Sequence, residues 1–237
     1  MGILGQYIQF LSRSAEFEIE KKVLSFLPRG ESLVYLDLGC DDGAKSLERS
    51  QKIGTNNILG VEVVSSRAKE AESKNIKVIK VDLNNKWTFA DNSIDCITAT
   101  EVIEHLSDLD NFFSESKRIL KKGGRLIIST ENLAGYHNIL ALLLGNQPYT
   151  GPYLSTVYPI GHRPCGKYYH QSNSSVTINP HLNVMTIKAL EQLLQRYGFY
   201  VRGSWGVAFY PLPSPLSNLL SYIDKYHASY CVVCGER

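Results

Sequence analysis

A chain of 237 residues is long enough for one large domain with a substantial core. With 43% apolar and 20% charged residues and a formal net charge of +2, the balance argues neither for nucleic acid nor for an anionic membrane. The start lacks the basic residues of a secretory signal, Gln6 stands where a myristoylation signal needs Ser or Thr, and the longest apolar run, 138–145, is too short to span a bilayer. Ile8, Leu11, Ile19, Val23, Leu24 and Leu27 recur near helical spacing, so residues 1–27 are predicted to be a helix that Pro28-Arg29-Gly30 ends. Buried strands are predicted at 32–39, 57–64, 76–83, 93–100 and 125–130. Helices are predicted between them: 44–54 stopped by Gly54, 65–75 capped by Ser65 or Ser66, and 108–124 closed by two glycines.

Strands alternating with helices over short connections imply an α/β fold, a three-layer sandwich around a mostly parallel sheet. In such sheets ligands bind at the carboxyl ends of the strands. That rule brings Asp37–Gly43, Glu62, Asp82 and Thr100–Glu101 to one edge. After residue 130 the rhythm breaks. Residues 131–182 read as a lid or acceptor-binding insertion with a short apolar helix near 136–144. A helix at 186–199, a helix near 215–226 and two more strands follow. The expected organisation is one domain over 1–237, with a helical segment at 1–30 and the insertion over 131–182. Five scattered cysteines, an odd number, point to reduced thiols and a cytoplasmic location. Cys231 and Cys234 form a C-x-x-C within a predicted strand, which sends them to opposite faces instead of to a shared metal.

The stretch 36–45, LDLGCDDGAK, is a partial match to a dinucleotide loop, with Asp41 where glycine is usual. Glu62 lies at the distance expected of a ribose-binding acid. On this alone a nicotinamide cofactor and a methyl donor compete. Electrostatics separates them. At ~6 Å and an effective dielectric of ~20, each like-charge pair between a pyrophosphate and Asp41 or Asp42 costs roughly 2–3 kcal/mol. S-adenosylmethionine has no phosphate and carries a sulfonium and an ammonium, which acids such as Asp37, Asp41, Asp42, Glu62 and Asp82 suit.

The segments VYLDLGCDDG (34–43), LGVEVV (59–64), VDLNNKWTFADNSIDCITATEVIEHL (81–106) and LKKGGRLIIST (120–130) resemble, in order and spacing, the motifs of class I S-adenosylmethionine-dependent methyltransferases, such as those of quinone biosynthesis. The resemblance is close over 33–130 and looser over 186–199. It implies a Rossmann-like sheet of seven strands and S-adenosyl-L-methionine as cofactor. It also implies donor-site roles for Asp37, Gly39, Cys40, Asp41 and Gly43 at the methionine end, Glu62 on the ribose, and Asp82 and Leu83 on the adenine. Asp41 departs from the pattern. Asp tolerates a positive φ, so the loop can still close.

Glu101, Glu104 and His105 would share a face if 100–106 were helical. His105 and, second, His181 are the expected bases, with Glu101 positioning; hydrogen bonding within the site floor is the expected role of Glu104, and no metal is assigned. His162, Cys165 and His170 have only loose ligand-like spacing. The expected activity is methyl transfer to an O or N atom of a small-molecule acceptor. Two alternatives stand beside it: a metal-dependent RNA ribose 2′-O-methyltransferase, because similar E-x-x-E-H stretches bind metal there with a later His, and a non-catalytic module of the same fold, because of Asp41. Neither nucleic acid nor a membrane span is the expected partner. A homodimer is one arrangement the apolar helix near 136–144 allows.

Overall fold

The computed structural model describes residues 2–154, 160–161 and 180–237. His162, Cys165 and His170 lie outside the described residues. Strands β1 (Val34–Leu38), β2 (Asn57–Val61), β3 (Lys77–Ile79), β4 (Ile94–Thr100), β5 (Leu120–Glu131), β6 (Tyr200–Val207) and β7 (Tyr230–Glu236) form one seven-stranded sheet, ordered β3-β2-β1-β4-β5-β7-β6. All neighbours run parallel except β7, which is antiparallel to both β5 and β6. Among the described residues, seven α-helices accompany it: α1 (Ile3–Phe26), α2 (Ala44–Ile53), α3 (Ser65–Glu72), α4 (Leu109–Ile119), α5 (Tyr136–Leu143), α6 (Ile187–Arg196) and α7 (Ser214–Ile223). The expected mostly parallel three-layer sheet of seven strands is what forms.

The period-two rule builds two cores. Leu36 and Leu38 of β1 pack with Phe112, Phe113, Ile119, Leu190 and Leu194 on the α4 and α6 side. Tyr35 packs on the other side with Ala15, Ile19 and Val23 of α1, Ile53 of α2 and Ala71 of α3. Each fully buried Leu or Ile contributes about 1.5–3 kcal/mol. In β7, Cys231 joins the first core and Cys234 the second, so the C-x-x-C is split across the sheet. Cys40, Cys96, Cys231 and Cys234 are free buried thiols. No helix among the described residues is long and apolar enough to cross a membrane.

Several local expectations change. The strand expected over 76–83 is ordered as a strand for three residues only. Helix α3 starts after Val64, with no side-chain cap from Ser65 or Ser66. Helix α4 is capped by Asp108, which accepts from Asn111 N–H at 2.8 Å. It ends at Ile119, because Leu120 is fully buried and pairs with Ile94 of β4. The two glycines therefore fall inside β5: strand pairing overrides the local stop signal. Ile8, placed on the buried face by spacing, is 42% exposed, whereas Leu11, Ile19, Val23 and Leu27 are buried.

The chain leaves β1 for β2 and β3 on one side, then crosses to β4 on the other. The turns after β1 and β4 thus flank a crevice at the switch point, the place such sheets offer a ligand.

Candidate active site

The turn after β1 is built to fold inward. Gly39 and Gly43 have φ of 73° and 80°, and Asp41 takes the same left-handed region at 49°. A β-carbon on Gly39 would meet Val102 Cγ2 at 2.7 Å. The N–H groups of Gly39 and Cys40 both donate to Val61 O at 2.9 Å, that of Asp41 to Glu62 at 3.1 Å, and that of Gly43 to Cys40 O at 2.9 Å. Phosphate loops aim such groups outward at the anion; these are spent within the chain. Cys40 is buried, its thiol seated where a β-carbon on Gly60 would come within 2.6 Å, so only its backbone lies along the loop.

The two acids of the loop do not stand free. Asp41 pairs through both oxygens with the Arg67 guanidinium of α3. Asp42 accepts from Ala44 N–H at 2.9 Å and pairs with Lys74 at 3.3 Å. Each is neutralised by a base from the neighbouring helix or the turn after it. Phosphate is disfavoured instead by the committed amides of the turn. Asp41→Gly keeps the φ and frees Arg67, so donor affinity within twofold of wild type is the expected result in titration calorimetry; a loss of tenfold would restore a direct contact.

Asp37 is buried at the end of β1, accepting from Ser46 Oγ and Thr98 Oγ1 at 2.6 Å each and from Arg49 at 3.0 Å. It anchors the loop from beneath. Glu62, just past β2, takes the Asp41 and Val64 N–H groups on separate oxygens, leaving lone pairs on each. Asp82 is exposed and shaped by Asn84 and Asn85, while the Leu83 carbonyl accepts from Trp87 Nε1 and Asn111.

Across the crevice, Glu101 follows β4 with φ of 54°, a conformation that costs about 1–2 kcal/mol for a non-glycine residue. Its N–H reaches Ser129 O, and its carboxylate accepts from Ser129 Oγ at 2.8 Å. The segment is not an α-helix: Ile103–His105 form a single 3-10 turn, so the shared helical face does not exist. The turn nonetheless brings Glu104 and His105 to His181, with one ligating atom from each within 4.8 Å of the others. The His105 and His181 rings meet edge to face at 4.9 Å, and Tyr153 lies 4.8 Å from His181.

Glu104 is 1% exposed, and burial pushes its carboxyl up to about 7 even though Thr130 donates to it at 3.0 Å. Burial, then the nearby Glu104 and Glu131 charges, raises Glu101 well above the carboxylate range. Glu131, the last residue of β5, lies 2.8 Å from His181 Nδ1, and Thr150 O lies at 2.8 Å from the same nitrogen. Burial alone would lower His181; the Glu131 carboxylate and the carbonyl outweigh it and hold the ring above its ordinary value. With Nδ1 carrying the hydrogen, Nε2 holds the lone pair. Asn132, by contrast, is consumed structurally, donating to Tyr226 O and Ala228 O.

A sequence model of the methyltransferase domain matches residues 11–203. The chain belongs to the methyltransferase domain family. Its fold is that of class I S-adenosylmethionine-dependent methyltransferases. Among curated relatives, the ubiquinone biosynthesis O-methyltransferase of Pelagibacter ubique is 29% identical over 114 residues, 43% of this chain and 43% of that one. The human mitochondrial ubiquinone biosynthesis O-methyltransferase is 24% identical over 185 residues, 74% of this chain and 44% of that one. The methyltransferase thus spans under half the length of these relatives. Among solved structures, an S-adenosylmethionine-dependent methyltransferase of Thermotoga maritima superposes with a TM-score of 0.62 at 19% identity, covering 99% of this chain and 95% of that one. A geranyl diphosphate C-methyltransferase of Streptomyces coelicolor, solved with Mg2+, geranyl diphosphate and S-adenosyl-L-homocysteine, gives 0.61 at 15%, covering 98% and 84%. At these identities the structures carry the fold alone.

Proposed function

We propose that the methyltransferase methylates a hydroxyl oxygen of a small-molecule acceptor, with the imidazole pair His105 and His181 receiving the proton. The observation that carries this reading is the Glu131–His181 pair, with Thr150 O on the same nitrogen, beside Glu104 and His105 at the β4 edge. S-adenosylmethionine supplies an electrophilic methyl group when bound. Alignment therefore provides most of the rate, and a hydroxyl acceptor needs a base in addition. His181 Nε2 takes the hydroxyl proton, and Glu131 balances the imidazolium that forms. Gly39–Gly43, Glu62 and Asp82 line the donor side, with Asp37 and Cys40 supporting them. The Tyr153 ring, 4.8 Å from His181, offers a flat face beside the base, which suits a planar hydroxylated molecule. The names of the ubiquinone-pathway relatives support oxygen over nitrogen as the target.

A second reading rests on the cluster of Glu104, His105 and His181, a carboxylate and two imidazoles of a kind that holds a divalent transition metal. A metal there would acidify the acceptor hydroxyl, as in transfer to a ribose. One assay separates the readings: methyl-labelled donor offered to hydroxylated aromatics, amines and RNA, with and without chelator. The first reading expects O-methylated aromatic product that survives chelation. Loss on chelation with recovery on added divalent metal favours the second, and label appearing only on amines or only on RNA overturns the first.

A further inference from the structure

The most buried cation among the described residues has no part in the chemistry above. Arg49 of α2 is 1% exposed and lies six residues beyond Gly43. Its Nε and Nη2 fork onto both oxygens of Glu20 in α1, at 2.8 and 2.6 Å. Its Nη1 reaches Asp37 at 3.0 Å and Thr98 at 3.4 Å, and Nη2 also reaches Thr100 at 3.1 Å. One planar group thereby holds the last polar residue before the Gly39–Gly43 turn and the last residue before Glu101. Those are the two lips of the crevice.

We propose that Arg49, oriented by Glu20, is a positioning residue of the donor site that makes helix α1 part of that site. The two carboxylates and one guanidinium form a buried trio with a formal charge of −1. Replacing such groups by apolar ones is often neutral or favourable for stability, so stability alone does not explain their presence. What the trio supplies is geometry. A planar fork fixes four partners at once, and a flexible ammonium cannot reproduce it. Glu20 sits on the one helix that precedes the sheet in sequence, so the grip of α1 on Arg49 sets the spacing between the β1 turn and the β4 edge. Arg49 acts through Asp37 and Thr100 and does not touch the donor itself.

Glu20→Gln tests the idea in the full chain. The amide replaces one accepting oxygen with an NH2 group facing a guanidinium that only donates, so the fork loses half of its anchor. The expected result is a rise of about tenfold in the Kd for S-adenosylmethionine and for S-adenosylhomocysteine by calorimetry. The acceptor KM at saturating donor should stay within twofold. Arg49→Lys should give the same split, and Glu20→Asp should return donor affinity to within about threefold of wild type, because it restores the charge. A purely structural role predicts the reverse: a lower Tm with donor Kd within twofold, and that result overturns the proposal. Should Glu20→Gln fail to fold, Thr100→Val decides. It removes one bond, keeps the side-chain shape and leaves the Glu20–Arg49–Asp37 trio intact. A donor Kd raised about threefold at unchanged Tm supports the positioning role; an unchanged Kd refutes it.

Discussion

Gly43→Ala is expected to cost about 2–5 kcal/mol of folding stability and at least tenfold in donor affinity. Two terms combine. The φ of 80° disfavours any β-carbon, at about 1–2 kcal/mol. The new methyl would also lie 2.4 Å from Ile76 Cδ1 and 3.1 Å from Ala71 Cα and Cβ. Ile76 is 2% exposed and Ala71 fully buried, so neither has room to withdraw, and overpacking adds roughly 1–3 kcal/mol. Relief must come from the start of α2 moving away from α3, which drags the β1 turn with it. Gly54→Ala is the control. Its φ is 89°, but nothing lies within 4 Å of the added carbon. It should lose only the backbone term and leave donor binding alone. Urea denaturation and calorimetry with S-adenosylhomocysteine check both variants; Gly43→Ala binding within twofold of wild type would show that the turn tolerates a side chain.

His181→Ala is expected to lower kcat by about 10²–10⁴, the usual worth of a general base, and Glu131→Gln to lower it less while moving the pH profile. The sign follows from the charges. The acting form of His181 is neutral, so the rate rises as pH climbs through a value that Glu131 holds above the ordinary imidazole range. Without that carboxylate, burial is opposed only by Thr150 O and the Glu104 charge, and the rising limb moves to lower pH. Glu131 also raises Glu101 and Glu104, so a limb set by either carboxyl would move the same way. A rate–pH profile for Glu131→Gln that shifts upward, or does not shift, contradicts the assignment of Glu131 to His181.

The sheet was legible because buried strands announce themselves as short apolar runs between helical stretches, and the strand predicted around Cys231 and Cys234 is β7. Boundaries were less so where tertiary pairing outweighed local signals, as at Gly123 and Gly124. The donor-side residues were legible because they follow strands in a fixed order. Their charges were not: Arg67 and Lys74 answer Asp41 and Asp42 from a separate element, and no local pattern reveals that. Arg49 and Glu20 escaped for the same reason, since a helical Arg and a helical Glu 29 residues apart look like two solvated charges. Glu131 has no local signal of a role, and only the return of the chain at His181 gives it a partner.

The inward-folded turn also bears on what the site meets in a cell. ATP, NAD and their relatives share an adenosine with the methyl donor and are abundant. A loop that kept its amides outward would admit them all and leave discrimination to the far end of each molecule. Here the N–H groups of Gly39, Cys40, Asp41 and Gly43 close on Val61, Glu62 and Cys40, and that of Ala44 on Asp42. Adenosine recognition is thereby uncoupled from phosphate recognition, and the common nucleotides compete for the crevice with only the half of themselves that every one of them has.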